Sequence, residues 1–292
     1  MKSLTSPAPE QGLIRPWILA ACIIAAASLS IHVVMLQVLQ IPYPDFTGIG
    51  RWGLVLVLMR ILALFAAYRL MLPCLAGRGL AQRIVLLAIL DAAIAGKMRS
   101  AIMEGVTSLS VLNPLIGLAL GLIESLIVAA LVVILVRGSR RVPMLMVWSV
   151  VSTALLTLVI SPFVRRTGAA LMAPAQPPVF LPPYGPGVLT VSYVTFLESV
   201  AAVIALTLLV APRLSATSGR NMLQMVTLVL LLRGTLVMQL LFPWLMNAPV
   251  GSAMLHTSQF FLQDLALAAM VWVRWRMIGL PHEASNSTYE RK

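Results

Sequence analysis

Six ionisable residues interrupt runs of hydrocarbon side chains: Arg60, Asp91, Glu124, Glu198, Arg233 and Asp264. Glu198 lies in FLESVAAVIALTLLV and Glu124 in LIESLIVAALVVILV, and neither run contains a second charge. In such surroundings a carboxylate or guanidinium has three uses. It binds an ion of opposite sign, relays a proton, or pairs with another buried charge to fix how two helices meet. Depth separates these groups from surface charges. At a rise of ~1.5 Å per residue, Glu124 lies ~20 Å from Arg137 along a helix, Glu198 ~22 Å from Arg213 and Asp264 ~15 Å from Arg274. Asp91 lies ~12 Å in from Arg83. A central charge costs about 2.5–3.5 kcal/mol on insertion scales, so these side chains are expected to face the inside of a bundle.

Counting charges sharpens the expectation. Arg60 and Arg233 are the deep cations, and arginine keeps its proton. Four acids against two arginines leave two acids without a dedicated partner. Those are expected to be neutral or to line a wet cavity, which gives a proton-linked role its basis. The functional reading joins Glu124, Glu198, Asp264 and Asp91 into a polar pathway, with Arg60 and Arg233 binding an anionic group. The structural reading pairs the same residues to organise packing.

The elements that must position these groups are membrane helices. The chain has 292 residues, 60% hydrophobic and only 10% charged, against roughly a quarter charged in soluble domains. The apolar runs are continuous rather than alternating, which argues against an outer-membrane barrel. The reading is an all-α polytopic bundle of about eight helices, at roughly 17–40, 52–72, 83–103, 114–136, 143–164, 188–211, 222–246 and 257–275. Residues 1–16 and 276–292 form tails around a transmembrane domain over 17–275. The third helix is the weakest, because it holds Asp91, Lys97 and Arg99 and Glu104 follows.

Charge sets the orientation. With the N-terminus inside, 14 of the 21 basic residues fall on one side, and Arg51, Arg165, Arg166, Lys97 and Arg99 on the other. Both termini are therefore expected in the cytoplasm, in a bacterial inner membrane. The scatter of basic residues between apolar runs argues against nucleic acid as the partner of a +12 chain. The expected partners are the lipid bilayer and a membrane partner protein or second copy. Inner connections are short. The longest outer one, 165–187, is proline-rich and reads as a stiff tether.

Smaller signals are weighed the same way. Leu19-Ala20-Ala21-Cys22 looks like a lipoprotein box, but only six residues separate Arg15 from Cys22 and the apolar run continues past it, so an uncleaved helix is expected. A disulfide between Cys22 and Cys74 is not expected. Asn286-Ser287-Thr288 matches a glycosylation acceptor on the cytoplasmic side. Gly117 and Gly121 form a GxxxG, read as a close helix approach. Arg60, Glu124, Glu198 and Asp264 recur along the chain at similar intervals, which raises a repeat of four helical hairpins. His32, His256 and His282 have no ligand spacing, so no metal or cofactor is expected. No HExxH, GxSxG or Walker loop is present.

Buried acids and arginines put first a transporter or translocation component for a small or lipid-linked anionic substrate, with proton coupling as an option. The alternatives are a non-catalytic membrane subunit or sensor that binds a partner protein, and an intramembrane lipid-modifying enzyme. The topology is testable by reporter fusions at Pro178 and Lys292. They are expected to report opposite sides of the membrane, and a periplasmic Lys292 would sink the map.

Overall fold

The structure is a computed structural model that describes residues 11–46, 50–138, 142–172, 174, 178–214 and 218–279. The far ends of both tails, Asn286 and part of the proline-rich connection lie outside the described residues. The fold is an all-α bundle, 86% helical, with no strand among the described residues. Its helices are α1 (Gln11–Val33), α2 (Gly53–Met71), α3 (Leu80–Ile94), α4 (Lys97–Ser108), α5 (Leu112–Gly138) and α6 (Val142–Leu155). There follow α7 (Ser161–Leu171), α8 (Pro186–Val210), α9 (Ser218–Leu232), α10 (Thr235–Leu241) and α11 (Val250–Gly279). A π-helical turn, Leu156–Ile160, joins α6 to α7.

Hydropathy makes this a membrane protein. Trp17–Val38, Gly53–Leu75, Leu112–Gly138, Val142–Leu171 and Pro186–Arg213 are each long and apolar enough to cross a bilayer. A sixth candidate is the pair Gly219–Leu232 and Thr235–Trp244, bent by 83°. By length and composition five of the described helices qualify as spans, or six with the bent pair, where the sequence reading expects eight. The expected third helix, 83–103, is not one rod: α3 and α4 are separate, of 15 and 12 residues. The expected seventh, 222–246, is likewise broken between α9 and α10. The eighth is longer than expected, at 30 residues, so His256 lies in a helix rather than a loop. Its buried Gln259, Gln263 and Asp264 make it a polar helix. The outer connection is also shorter than 165–187, because Arg165 and Arg166 belong to α7.

Both interruptions have one cause. Gly96 (φ +63°) and Gly234 (φ +78°) adopt the left-handed conformation that ends a helix at little cost only in glycine. Their backbone hydrogen bonds match. Gly96 N–H donates to Ala93 and Ser100 N–H to Gly96, while Gly234 N–H donates to Leu231 and Met238 N–H to Gly234.

That match extends to the whole chain. The shift in numbering that carries Gly96 onto Gly234 also carries both ends of α3 onto both ends of α9. By the same shift α2 corresponds to α8, α5 to α11, and α1 to α6–α7. Packing between the halves obeys the correspondence. α1 packs on α11 as α5 packs on α6 and α7; α1 packs on α8 as α6 packs on α2; α3 and α4 pack on α8 as α9 and α10 pack on α2. The regularity that reads as four hairpins in the sequence takes the form of two four-segment halves. Arg60 corresponds to Glu198. The counterpart of Glu124 is Leu262, so Asp264 stands near the equivalent position but not on it.

The core lies between the halves. On α8, Phe196, Val200, Val203, Leu206 and Val210 are all fully buried. Leu158 (75% exposed) and Leu223 (66%) point outward, as expected where lipid is the solvent. Cys22 and Cys74 are both free. A Cβ at Gly234 would lie 2.6 Å from Leu56 Cδ1, whereas one at Gly96 would meet nothing closer than 3.6 Å. Gly96→Ala is expected to cost about 1–2 kcal/mol for the left-handed backbone alone. Gly234→Ala is expected to cost more, and Leu56→Ala to recover part of the difference; melting of the purified protein in detergent measures both.

Candidate functional site

The break between α3 and α4 leaves backbone groups that a continuous helix would satisfy internally. In an apolar interior each must find another partner. Side chains from other helices supply them. Arg233, immediately before the α9–α10 break, donates from Nη1 to the Ile94 carbonyl at 2.8 Å and to Ser199 Oγ at 3.0 Å. Its Nε lies 2.7 Å from Asp264 Oδ2. Glu198 on α8 accepts from the first turn of α4, with Oε1 3.3 Å from Met98 N and Oε2 2.6 Å from Arg99 N. One residue of each interruption thus touches the other interruption or the helix beside it.

The remaining pairs converge on the same element. Asp91, on the last turn of α3, accepts from Arg60 of α2 at 2.7 Å and from Ser125 of α5 at 2.7 Å. Lys97, the first residue of α4, lies 3.3 Å from Glu124 Oε2 and donates to the Gly121 carbonyl at 2.7 Å. Ser161 of α7 donates to Glu124 at 3.2 Å. A Cβ at Gly121 would come 3.0 Å from Lys97 Cδ. The GxxxG glycine therefore makes room for a lysine stem, not for a helix backbone as expected.

All six charges singled out in the sequence have partners. Asp91 and Asp264 are 2% and 1% exposed. The counting argument missed two groups. Lys97 is a further cation and pairs with Glu124, and the amides of α4 hold Glu198 with no cation at ion-pair distance among the described residues. Both depend on the helix ending at Gly96, and the glycine inside a weak, charged segment was the available signal.

One cation is left over. Arg99, on α4, has no carboxylate at ion-pair distance among the described residues, and its Nε is buried with no hydrogen-bond partner. The guanidinium lies over the Phe196 ring at 5.0 Å and donates to Ser192 Oγ at 3.4 Å. It lines a cavity of about 240 Å³ with His32, Tyr43, Glu104 and Tyr184. His32 Nδ1 also has no partner, and its ring packs against Phe260 at 4.9 Å. Burial pushes the Tyr43 phenol above its ordinary range, and Tyr184 adds to the push, so Tyr43 remains a neutral hydrogen-bonding group. Arg233, Asp264 and Glu198 are close enough for their charges to act on Arg99.

The equivalent position in the second half differs in chemistry. Around α10, Val237, Phe242, Met246 and Ala253 form a separate apolar cluster, and Val237 occupies the position equivalent to Arg99. The halves share a backbone plan, but an apolar valine replaces the cation on the second broken helix. No group of three or more metal-ligating side chains occurs among the described residues.

No protein-family model, curated protein or solved structure matches this chain.

The pairing geometry predicts unequal responses. Asp264→Asn leaves Arg233 as an uncompensated buried charge and is expected to cost about 3–5 kcal/mol. Adding Arg233→Met is expected to restore part of the loss. Glu198→Gln keeps one acceptor for the α4 amides and is expected to cost only about 0.5–2 kcal/mol, as for loss of a helix cap. Membrane accumulation and melting temperature measure the series. An Asp264→Asn protein as stable as the parent would contradict the assignment.

Proposed function

We propose that this multi-pass membrane protein is a transporter or translocation component for a small or lipid-linked anionic substrate. The observation that carries the proposal is Arg99, with no carboxylate at ion-pair distance among the described residues, in a polar cavity beside two touching interruptions. A buried guanidinium without a carboxylate attracts an anion, and its planar donors suit carboxylate or phosphate. Broken helices at the interface of two repeats are where many transporters hold substrate. They also supply hinges, because left-handed glycines separate half-helices that move as short rods.

In this reading the anion meets Arg99, with His32, Tyr43 and Ser192 offering further polar contacts. Glu198 already holds the positive end of α4. An anion on Arg99 pulls on the same turn that Glu198 caps, so binding and the α4 interruption are linked. Eight passages complete the proposal, with each broken pair and the polar α11 taken as one passage apiece. The arginine-rich end then faces the cytoplasm of a bacterial inner membrane. Proton coupling loses its original basis, because no acid among the six is left over.

A second reading has its own observation. With all six singled-out charges paired, the network also suits a non-catalytic subunit or sensor whose buried charges only orient helices. The two are separated with the purified protein. For transport, at least one small carboxylate or phosphate is expected to raise its melting temperature by several degrees and to be taken up by proteoliposomes. Arg99→Gln is expected to abolish both effects without lowering the unliganded melting temperature. A stoichiometric co-purifying membrane protein, with no anion effect and no uptake, would overturn transport in favour of the subunit.

A further inference from the structure

At the end of the bundle opposite the Arg99 cavity, a second cavity of about 470 Å³ is lined by Arg69, Arg78, Arg83 and Arg137. These come from the end of α2, the connection before α3, the first turn of α3 and the last turn of α5. No aspartate or glutamate lines it. The orientation rule asks for basic residues anywhere in the inner connections. It does not require four of them, from three separate chain segments, to converge on one cavity. Cations gathered around a common space raise a positive potential that attracts an anion.

The site has built features. Arg83 Nε donates to the Arg78 carbonyl at 3.0 Å, which ties the helix start to the preceding connection. Gly79 and Leu80 contribute the N-terminal end of α3 to the lining, where the helix dipole is positive. Val133 and Val136 make an apolar wall, and fully buried Tyr68 is part of the lining. Next to that wall on α5, Ile134 is 54% exposed. A polar, cationic chamber thus adjoins a hydrocarbon-facing helix.

The arginine cluster is not repeated at the equivalent positions of the second half. At the equivalent positions of the second half, Thr207 and Asn221 stand in place of Arg69 and Arg83. The groove between α2 and α9, about 910 Å³, has mostly apolar walls and only Arg213 and Arg220 as charges.

The geometry points to a binding site for a phosphate-bearing lipid headgroup of the inner leaflet. The phosphate sits among the four guanidinium groups, which match its oxygens in paired hydrogen bonds. The acyl chains run along the outward face of α5. Anionic lipid, not soluble phosphate, is the committed occupant, because the chamber joins an apolar wall at the depth where headgroups lie. This inference is independent of the transport reading, since Arg99 has no part in it.

The test uses the full chain, purified in neutral detergent and titrated with phosphatidylglycerol, phosphatidylcholine or inorganic phosphate. Melting temperature and native mass spectrometry are the readouts. Phosphatidylglycerol is expected to bind and stabilise, and the other two to do so far less. The double variant Arg78→Gln/Arg137→Gln is expected to bind about thirtyfold more weakly, from the loss of two charges near the headgroup. The double variant Arg213→Gln/Arg220→Gln, with the same loss of net charge, is expected to bind as the parent does. Both variants are checked for an unchanged elution volume, and Arg78→Lys/Arg137→Lys serves if the glutamine pair fails to fold. Equal binding of phosphatidylglycerol by the parent and the Arg78/Arg137 variant would overturn the site. Equal stabilisation by inorganic phosphate would overturn the headgroup assignment.

Discussion

A helix that stops within a bundle leaves carbonyls and amides without their helical partners. The α3–α4 interruption does this, and most of the polar architecture follows from satisfying it. The Ile94 carbonyl takes Arg233, and the Met98 and Arg99 amides take Glu198. Arg233 in turn requires Asp264, since a lone guanidinium at this depth is costly. The flanking Asp91 and Lys97 fix the two half-helices to α2 and α5 through Arg60, Ser125 and Glu124. The glutamate in FLESVAAVIALTLLV is therefore a cap for another helix.

The shared backbone plan accounts for a second interruption beside the first. Two halves with the same backbone plan face each other, so each break packs on the second helix of the opposite half. The side chains have diverged on this common frame. Arg60 and Glu198 occupy equivalent positions but bind different groups: a carboxylate in one case, backbone amides in the other. Beside α10 the space is filled with Phe242 and Met246. Beside α4 it holds Arg99 and a polar cavity. The asymmetry is chemical rather than topological.

The same frame separates stability from function among the buried charges. Asp264–Arg233 and Asp91–Arg60 are short ion pairs with one almost wholly buried partner each. Breaking such a pair is costly even where forming it contributes little. Arg99 is different. Its contacts are an aromatic face, one long hydroxyl bond and two neighbouring charge systems. Those contacts hold the guanidinium in place while leaving its capacity for an anion unused.

By itself the sequence determined the class of the molecule and its list of suspicious residues. Long uncharged runs require helices, because lipid offers no partner to a backbone amide or carbonyl. An ionisable group within such a run is expensive wherever the rest of the chain goes. Both inferences are local, so Asp91, Arg60, Glu124, Glu198, Arg233 and Asp264 were legible, and so was the weakness of the third segment. Pairing was not legible. Counting arginines against acids overlooked Lys97 and could not foresee a carboxylate held by amides alone. Arg99 lay in plain view, but only the fold shows that it has no carboxylate at ion-pair distance among the described residues. The duplication of the two halves was also hidden, since apolar runs resemble one another by chance while equivalent polar positions have changed identity. Tertiary structure decided these points for one physical reason. Two left-handed glycines break two helices, and the partners of the exposed backbone come from helices remote in the sequence.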